Sequence, residues 1–121
     1  MHHARRFVVR HRIRIVGDDG TIALGPGKAD LLAAIARKGS IRAAASDLGM
    51  SYMRAWTLIR TMNAAFRSPL VEKVRGGSAK GGARLTRRGE QVLDIYKRME
   101  KEAERAVGRS WQKMRRHLES R

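Results

Sequence analysis

The apolar positions of this chain change their spacing several times, and each spacing predicts a different element. In "FVVRHRIRIV", residues 7–16, Phe7, Val9, Ile13 and Ile15 fall on one face and Arg10, Arg12 and Arg14 on the other. Period two with β-branched side chains predicts a half-buried strand. "GDDG" at 17–20 supplies turn chemistry, and "TIAL" then returns as a second short strand. The arginine face of this arm is read as solvated in preference to phosphate-bound.

From Pro26 the spacing becomes helical. Leu31, Leu32, Ile35 and Ala36 form a stripe, with Pro26 near the start and Gly39 just beyond Lys38, the usual asymmetry of helix ends. In "GSIRAAASDLGMSYMRAWTLIRTMNAAF", Ser40 is placed to cap a short helix whose apolar residues Ile41, Ala44, Ala45 and Leu48 recur at i, i+3, i+4 and i+7. Gly49 can end it in the left-handed conformation, and Ser51 can cap a second helix two residues later. A short alanine-rich helix, a glycine-containing turn and a second helix are the signature of a helix-turn-helix.

On a wheel of that second helix, Tyr52, Ala55, Trp56, Ile59, Met62 and Phe66 share one face, opposite Met53, Arg54, Thr57, Arg60, Thr61 and Ala64. The second set holds no acid and mixes bidentate donors, hydroxyls and methyl groups, the groups that read base edges and the thymine methyl in a major groove. The competing reading is an ordinary amphipathic helix with a solvated basic face. The capped helix before it and the acid-free surroundings favour base reading.

After Pro69, "LVEKVR" and "ARLT" read as paired strands with "GGSAKGG" as their tip. Thr86 is placed to cap a long final helix. Its apolar residues Val92, Tyr96, Met99 and Ala103 keep a 4-3-4 rhythm, which resumes at Val107, Trp111, Met114 and Leu118 after an extra step near Gly108. An interrupted seam of this kind suits a coiled dimer contact with a bend. Packing on the chain's own core is the alternative; for the distal half a dimer is favoured, since a small domain has little surface to cover Trp111 and Leu118.

Composition turns this outline toward a partner. The 121 residues suit one domain, and they carry 27 Lys and Arg against 11 Asp and Glu, a formal net charge of +16. Such a charge repels itself unless a polyanion neutralises it, so nucleic acid or an anionic surface is expected. Between Asp47 and Glu90 the one acid is Glu72, against Arg54, Arg60, Arg67, Lys73, Arg75, Lys80, Arg84, Arg87 and Arg88. No apolar run is long enough to cross a bilayer, and no signal-peptide core opens the chain. The absence of cysteine excludes disulfides and thiolate metal sites and fits a cytoplasmic protein.

No catalytic constellation emerges. His11 and His117 have no recognisable carboxylate or serine partners, Asp18 and Asp19 lie in a turn, and Glu100, Glu102 and Glu104 scatter around a helix. The "GGSAKGG" tip lacks the Lys-Ser/Thr pair and the following helix of a phosphate-binding nucleotide loop. The chain therefore reads as a binding module without enzyme activity, cofactor or metal.

The combined motifs, Gly39-Ser40-Ile41, Gly49 to Trp56, Leu70-Val71-Glu72, Gly76 to Gly82, and Leu85-Thr86 with Gly89, resemble the DNA-binding half of molybdate-responsive transcriptional regulators, relatives of the LysR-type winged helices. The resemblance covers roughly residues 22–100 and implies a mainly α fold with small β content. In it a winged helix-turn-helix over 26–86 follows an N-terminal β-hairpin arm over 1–25 and precedes a C-terminal dimerisation segment over 87–121. It implies a dimer on an inverted-repeat operator of double-stranded DNA. Base readout would fall to Ser51, Tyr52, Arg54, Thr57 and Arg60, and backbone contacts to Ser40, Arg42, Arg75, Lys80, Arg84 and Arg87. Dimerisation would use Val92, Tyr96, Met99, Val107, Trp111, Met114 and Leu118. Such regulators also carry a C-terminal oxyanion-sensing region, which the chain ending at Arg121 is expected to lack. The alternative is a nucleoid-type architectural protein of low sequence specificity; an RNA-binding or partner-docking module is less favoured, because the few aromatics fall on core positions.

Overall fold

The computed structural model describes residues 6–74 and 82–118. Its elements run β1 (Ile15–Val16), β2 (Ile22–Leu24), α1 (Pro26–Lys38), α2 (Ile41–Asp47), α3 (Tyr52–Ala65), β3 (Val71–Val74), β4 (Gly82–Leu85) and α4 (Arg87–Leu118). This is the mainly helical winged helix-turn-helix architecture that the spacing and the resemblance imply.

α1 is the hub. Its Leu31, Leu32, Ala34 and Ile35 are fully buried, and it packs against α2, α3, α4, β2 and β4. The helix starts at Pro26, whose missing N–H is one of the unpaired donors of a first turn. It ends at Gly39, at φ 73°, where the N–H returns to the Ile35 carbonyl. Lys28 is the one buried charged side chain among the described residues. Its ammonium donates to the Ile22 carbonyl, and burial draws its pKa below the ordinary lysine range.

β3 and β4 form an antiparallel hairpin in which Val71 faces Leu85, Glu72 faces Arg84, Lys73 faces Ala83 and Val74 faces Gly82. Val71, Ala83 and Leu85 are buried against the helices, while Glu72 and Arg84 stand in solvent. β4 begins at Gly82, a residue the sequence assigned to the tip. A further tie was not foreseen: Ala83 N–H donates to the Gly39 carbonyl at 3.0 Å, and Ser40 bridges to Gly82. The α1–α2 junction thus acts as a third edge to the hairpin.

The base of the hairpin is locked to α3 and α4. Asn63 Oδ1 accepts from Leu70 N–H at 2.8 Å and Val71 N–H at 3.2 Å, and its Nδ2 donates to the Val71 carbonyl at 3.2 Å. Thr86 N–H donates to the Leu70 carbonyl at 2.9 Å, its hydroxyl donates to the Pro69 carbonyl at 2.7 Å, and the same oxygen accepts from Gly89 N–H at 3.0 Å, the expected cap of α4. Gly89 itself has no room for a side chain, since a Cβ there would stand 2.1 Å from the Leu70 carbonyl oxygen.

Two expectations are corrected. The strand read over 7–16 reduces to Ile15–Val16, with Phe7, Val8 and Val9 exposed. Its partner is only the three residues Ile22–Leu24, and a ribbon of two such short strands cannot propagate hydrogen bonding back toward Phe7. The arm is fastened instead by side chains: Ile13 packs on the core, and Tyr96 Oη donates to its carbonyl at 2.8 Å. Tyr96, expected on the dimer seam, is therefore a core residue at 2% exposure. Burial, with Glu100 and Asp30 nearby, raises its pKa and keeps the phenol a donor. Val92 likewise packs against the chain's own core.

Candidate nucleic-acid interface

The turn between α2 and α3 is built from local backbone chemistry. Ser40 Oγ accepts from Ala43 N–H at 3.0 Å, Gly49 sits at φ 67°, and Ser51 Oγ accepts from Arg54 N–H at 3.1 Å. These caps fix where α3 begins and hence which side chains it turns outward. Ala55, Ile59 and Met62 are buried, while Met53, Arg54, Thr57 and Arg60 are exposed. Met53 is 71% exposed, unusual for a residue that would otherwise fill a core.

The two threonines on this face are partly occupied. Thr57 Oγ1 donates to the Met53 carbonyl at 3.0 Å and Thr61 Oγ1 to the Thr57 carbonyl at 2.9 Å. With their protons turned onto the helix backbone, they offer outward an acceptor oxygen and a methyl group. The guanidinium groups of Arg54 and Arg60 make no hydrogen bond or ion pair among the described residues and remain free to use their donors on a base edge or phosphate.

Beside this face lies a four-residue stack. Trp56 Nε1 donates to the Tyr52 hydroxyl at 2.7 Å. The Arg42 guanidinium lies 4.6 Å from the centre of the Tyr52 ring, and the Lys73 ammonium 4.7 Å from that of Trp56. Arg42 and Lys73 come from α2 and β3, so aromatic faces of α3 hold cations of both neighbours at its flanks. Lys73 stands out of the sequence only as one charge among many; its register, two residues along the pleat from buried Val71, sets it over Trp56.

The other expected backbone contacts divide. Ser40 is half-buried and its oxygen is engaged as a cap. Arg84 is exposed, but its Nε donates to Glu72 Oε1 at 2.8 Å, so the one acid of this region is paired with a cation expected on phosphate. Arg87 is exposed in the first turn of α4, next to Arg88, whose Nε donates to Ser68 Oγ. Two arginines at a helix N-terminus oppose its dipole, a cost that an anion there would offset. Arg75 and Lys80 lie outside the described residues. Asp47, at the end of α2, is paired with Arg37 at 2.9 Å and faces Lys38 at 3.9 Å at the end of α1. The face of α3 is left without acids of its own.

Of the expected dimer residues, Met99 and Trp111 are half-buried, while Val107, Met114 and Leu118 are exposed at 38%, 58% and 37%. Val92 and Tyr96 are thus taken up by the chain's own core, whereas the distal seam, apart from half-buried Trp111, is exposed among the described residues. Among the described residues, no group of three or more His, Cys, Asp or Glu could hold a metal ion. No helix there is long and apolar enough to cross a membrane.

Comparison with known proteins agrees with this geometry. Residues 28–90 match the model of the bacterial regulatory helix-turn-helix protein, lysR family. The molybdenum transport protein ModE of Azotobacter vinelandii is 41% identical over 106 residues, 88% of this chain and 38% of the relative. The molybdenum-pterin-binding protein MopB of Rhodobacter capsulatus is 42% identical over 91 residues. The DNA-binding transcriptional dual regulator ModE of Escherichia coli is 44% identical over 71 residues, 59% of this chain and 27% of the relative. The chain therefore spans about a third of the length of the curated relatives it matches. Among solved structures, a complex of the CbnR DNA-binding domain with DNA superposes with TM-score 0.58 at 24% identity, covering 73% of this chain and 95% of that one. Full-length CbnR with its target DNA gives TM-score 0.55 at 25% identity, covering 69% of this chain and 27% of that one.

Proposed function

The chain belongs to the lysR family of bacterial regulatory helix-turn-helix proteins, and from that premise we propose that it is a sequence-specific, DNA-binding transcriptional regulator. One observation carries the reading: the outer face of α3 is capped, exposed and acid-free, and offers free arginines beside threonine methyl groups. In this reading α3 enters the major groove, with Arg54, Thr57 and Arg60 on base edges. Tyr52 contributes by holding Trp56 and Arg42 in place. Ser51 serves chiefly as the cap, with its remaining donor near the groove.

Phosphate contacts are assigned to Arg42, Lys73, Arg84 and Arg87, and by the sequence reading to Arg75 and Lys80. They set register on the duplex and carry no sequence information. The unpartnered distal seam of Val107, Trp111, Met114 and Leu118 pairs with a second copy, so that two α3 helices reach successive major grooves of an inverted repeat, about one helical turn apart. A regulator of this kind is a cytoplasmic protein without enzyme activity. Two of the three relatives' names concern molybdenum, which makes the control regions of molybdenum-related genes the first operators to try.

The test is a titration of candidate operator duplex against scrambled duplex at fixed physiological salt. A regulator gives a preference of roughly a thousandfold or more. A ratio near one would replace this reading with that of an architectural protein binding by charge alone.

A further inference from the structure

The charge of α4 is divided between its two halves. From Arg87 to Glu104 the basic residues Arg87, Arg88, Lys97, Arg98 and Lys101 are matched by Glu90, Asp94, Glu100, Glu102 and Glu104. From Arg105 to Leu118 the helix carries Arg105, Arg109, Lys113, Arg115 and Arg116 and no acid. All five are exposed; Arg105, Arg109, Lys113 and Arg116 fall within about 80° of one another around the helix, while Arg115 stands apart from them, toward one flank of the apolar seam. Like charges at i, i+4 and i, i+3 destabilise a helix. Solubility alone would be served as well by the mixed signs of the first half.

We propose that this distal basic face is a second phosphate track, laid along the backbone of duplex DNA outside the segment read by α3. The proposal rests on the DNA-binding reading above. From Arg105 to Arg116 the track spans about 16 Å of helix, a length of duplex axis over which each DNA strand presents about five phosphates. Its position on the helix separates DNA from a membrane as the anion. The apolar seam of Val107, Trp111, Met114 and Leu118 lies roughly 175° around from the basic face. A helix lying in a lipid surface needs its cations flanking the apolar side, where they reach the headgroups. Here, burying the seam would leave Arg115 alone at its flank and point the other four cations away from the lipid. With the seam occupied by protein, the cations face outward toward a polyanion.

The experiment compares the full chain with its Arg105→Gln, Arg109→Gln, Lys113→Gln and Arg116→Gln quadruple variant. Affinity is measured against salt on a long duplex containing the preferred site and on a short duplex trimmed to that site. On the long duplex the variant loses up to about 3.6 from the magnitude of the slope of log affinity against log salt, 0.9 for each phosphate contact. On the short duplex the two proteins differ by less than one contact. A variant with Arg105→Lys, Arg109→Lys and Arg116→Lys retains the parent slope, and unchanged helical circular dichroism shows that all three proteins fold. An unchanged slope on the long duplex overturns the proposal. So does an equal loss on both duplexes, or vesicle binding of phosphatidylserine that vanishes in the Gln variant while the DNA slope stays. A parent chain with no duplex preference would instead sink the regulatory reading, so the two failures are distinguishable.

Discussion

Trp56 Nε1 and the Tyr52 hydroxyl meet at 2.7 Å, one turn apart on α3, and this bond decides what Tyr52 is free to do. Its oxygen is an acceptor for the indole and its ring lies under Arg42, so both ends of the side chain serve the protein. Tyr52→Phe keeps the ring and removes the acceptor. Stability is expected to fall by about 1 kcal/mol, which thermal unfolding reads as a drop of about 4 °C. The ratio of operator to random affinity stays within about twofold. A tenfold fall in that ratio would return Tyr52 to base readout.

Arg54 and Arg60 are the contrasting case, exposed and unengaged among the described residues. Arg54→Ala is expected to cost about 1–3 kcal/mol more on the operator than on scrambled duplex, with the melting temperature little changed. Equal losses on both duplexes would make Arg54 a phosphate contact.

Two glycines of α4 respond in opposite directions to the same substitution. A Cβ at Gly89 would collide with the Leu70 carbonyl, whereas nothing stands within 4 Å of one at Gly108. Gly89→Ala must push α4 off the hairpin base and is expected to lose about 3 kcal/mol. Gly108→Ala removes a flexible residue from a helix interior and gains up to about 1 kcal/mol. Urea midpoints of the two variants should move to either side of the parent.

Asn63 joins α3 to β3 through three hydrogen bonds. Asn63→Ala leaves Leu70 and Val71 backbone groups unpaired in a half-buried site and is expected to cost about 2–3 kcal/mol. Asn63→Asp retains both accepted bonds but turns a carboxylate oxygen toward the Val71 carbonyl, so it also destabilises, by less at low pH, where a protonated carboxyl can donate. Equilibrium unfolding at two pH values tests both.

The helices were legible because their ends carry local chemistry. Ser40, Ser51, Thr86, Gly39 and Gly49 act where the sequence placed them, each within four residues of its partner. What escaped was non-local. Nothing near Tyr96 in sequence announces a bond to Ile13, 83 residues away; its seam spacing fits a core stripe and a dimer stripe equally. Asn63 fell on neither face of the α3 wheel, and its role depends on where β3 begins. The arm from Phe7 alternates correctly for a strand, yet alternation cannot supply a partner longer than Ile22–Leu24. In the candidate site the outward face of α3 could be read from a wheel, whereas the pairing of Arg84 with Glu72 required the hairpin register.

That pairing gives the last prediction. Glu72 and Arg84 face each other across β3 and β4, with side chains 45% and 68% exposed. An exposed pair of this kind contributes at most about 1 kcal/mol to stability, so its larger effect falls on binding. Glu72→Gln removes the one acid between Asp47 and Glu90 and releases the Arg84 guanidinium for phosphate. Affinity is expected to rise on operator and scrambled duplex alike, with a salt slope steeper by about one contact, while the melting temperature moves by less than about 4 °C. Adding Arg84→Gln should abolish the gain. If Glu72→Gln leaves both affinities and the slope unchanged, the outer side of the hairpin does not face the DNA backbone.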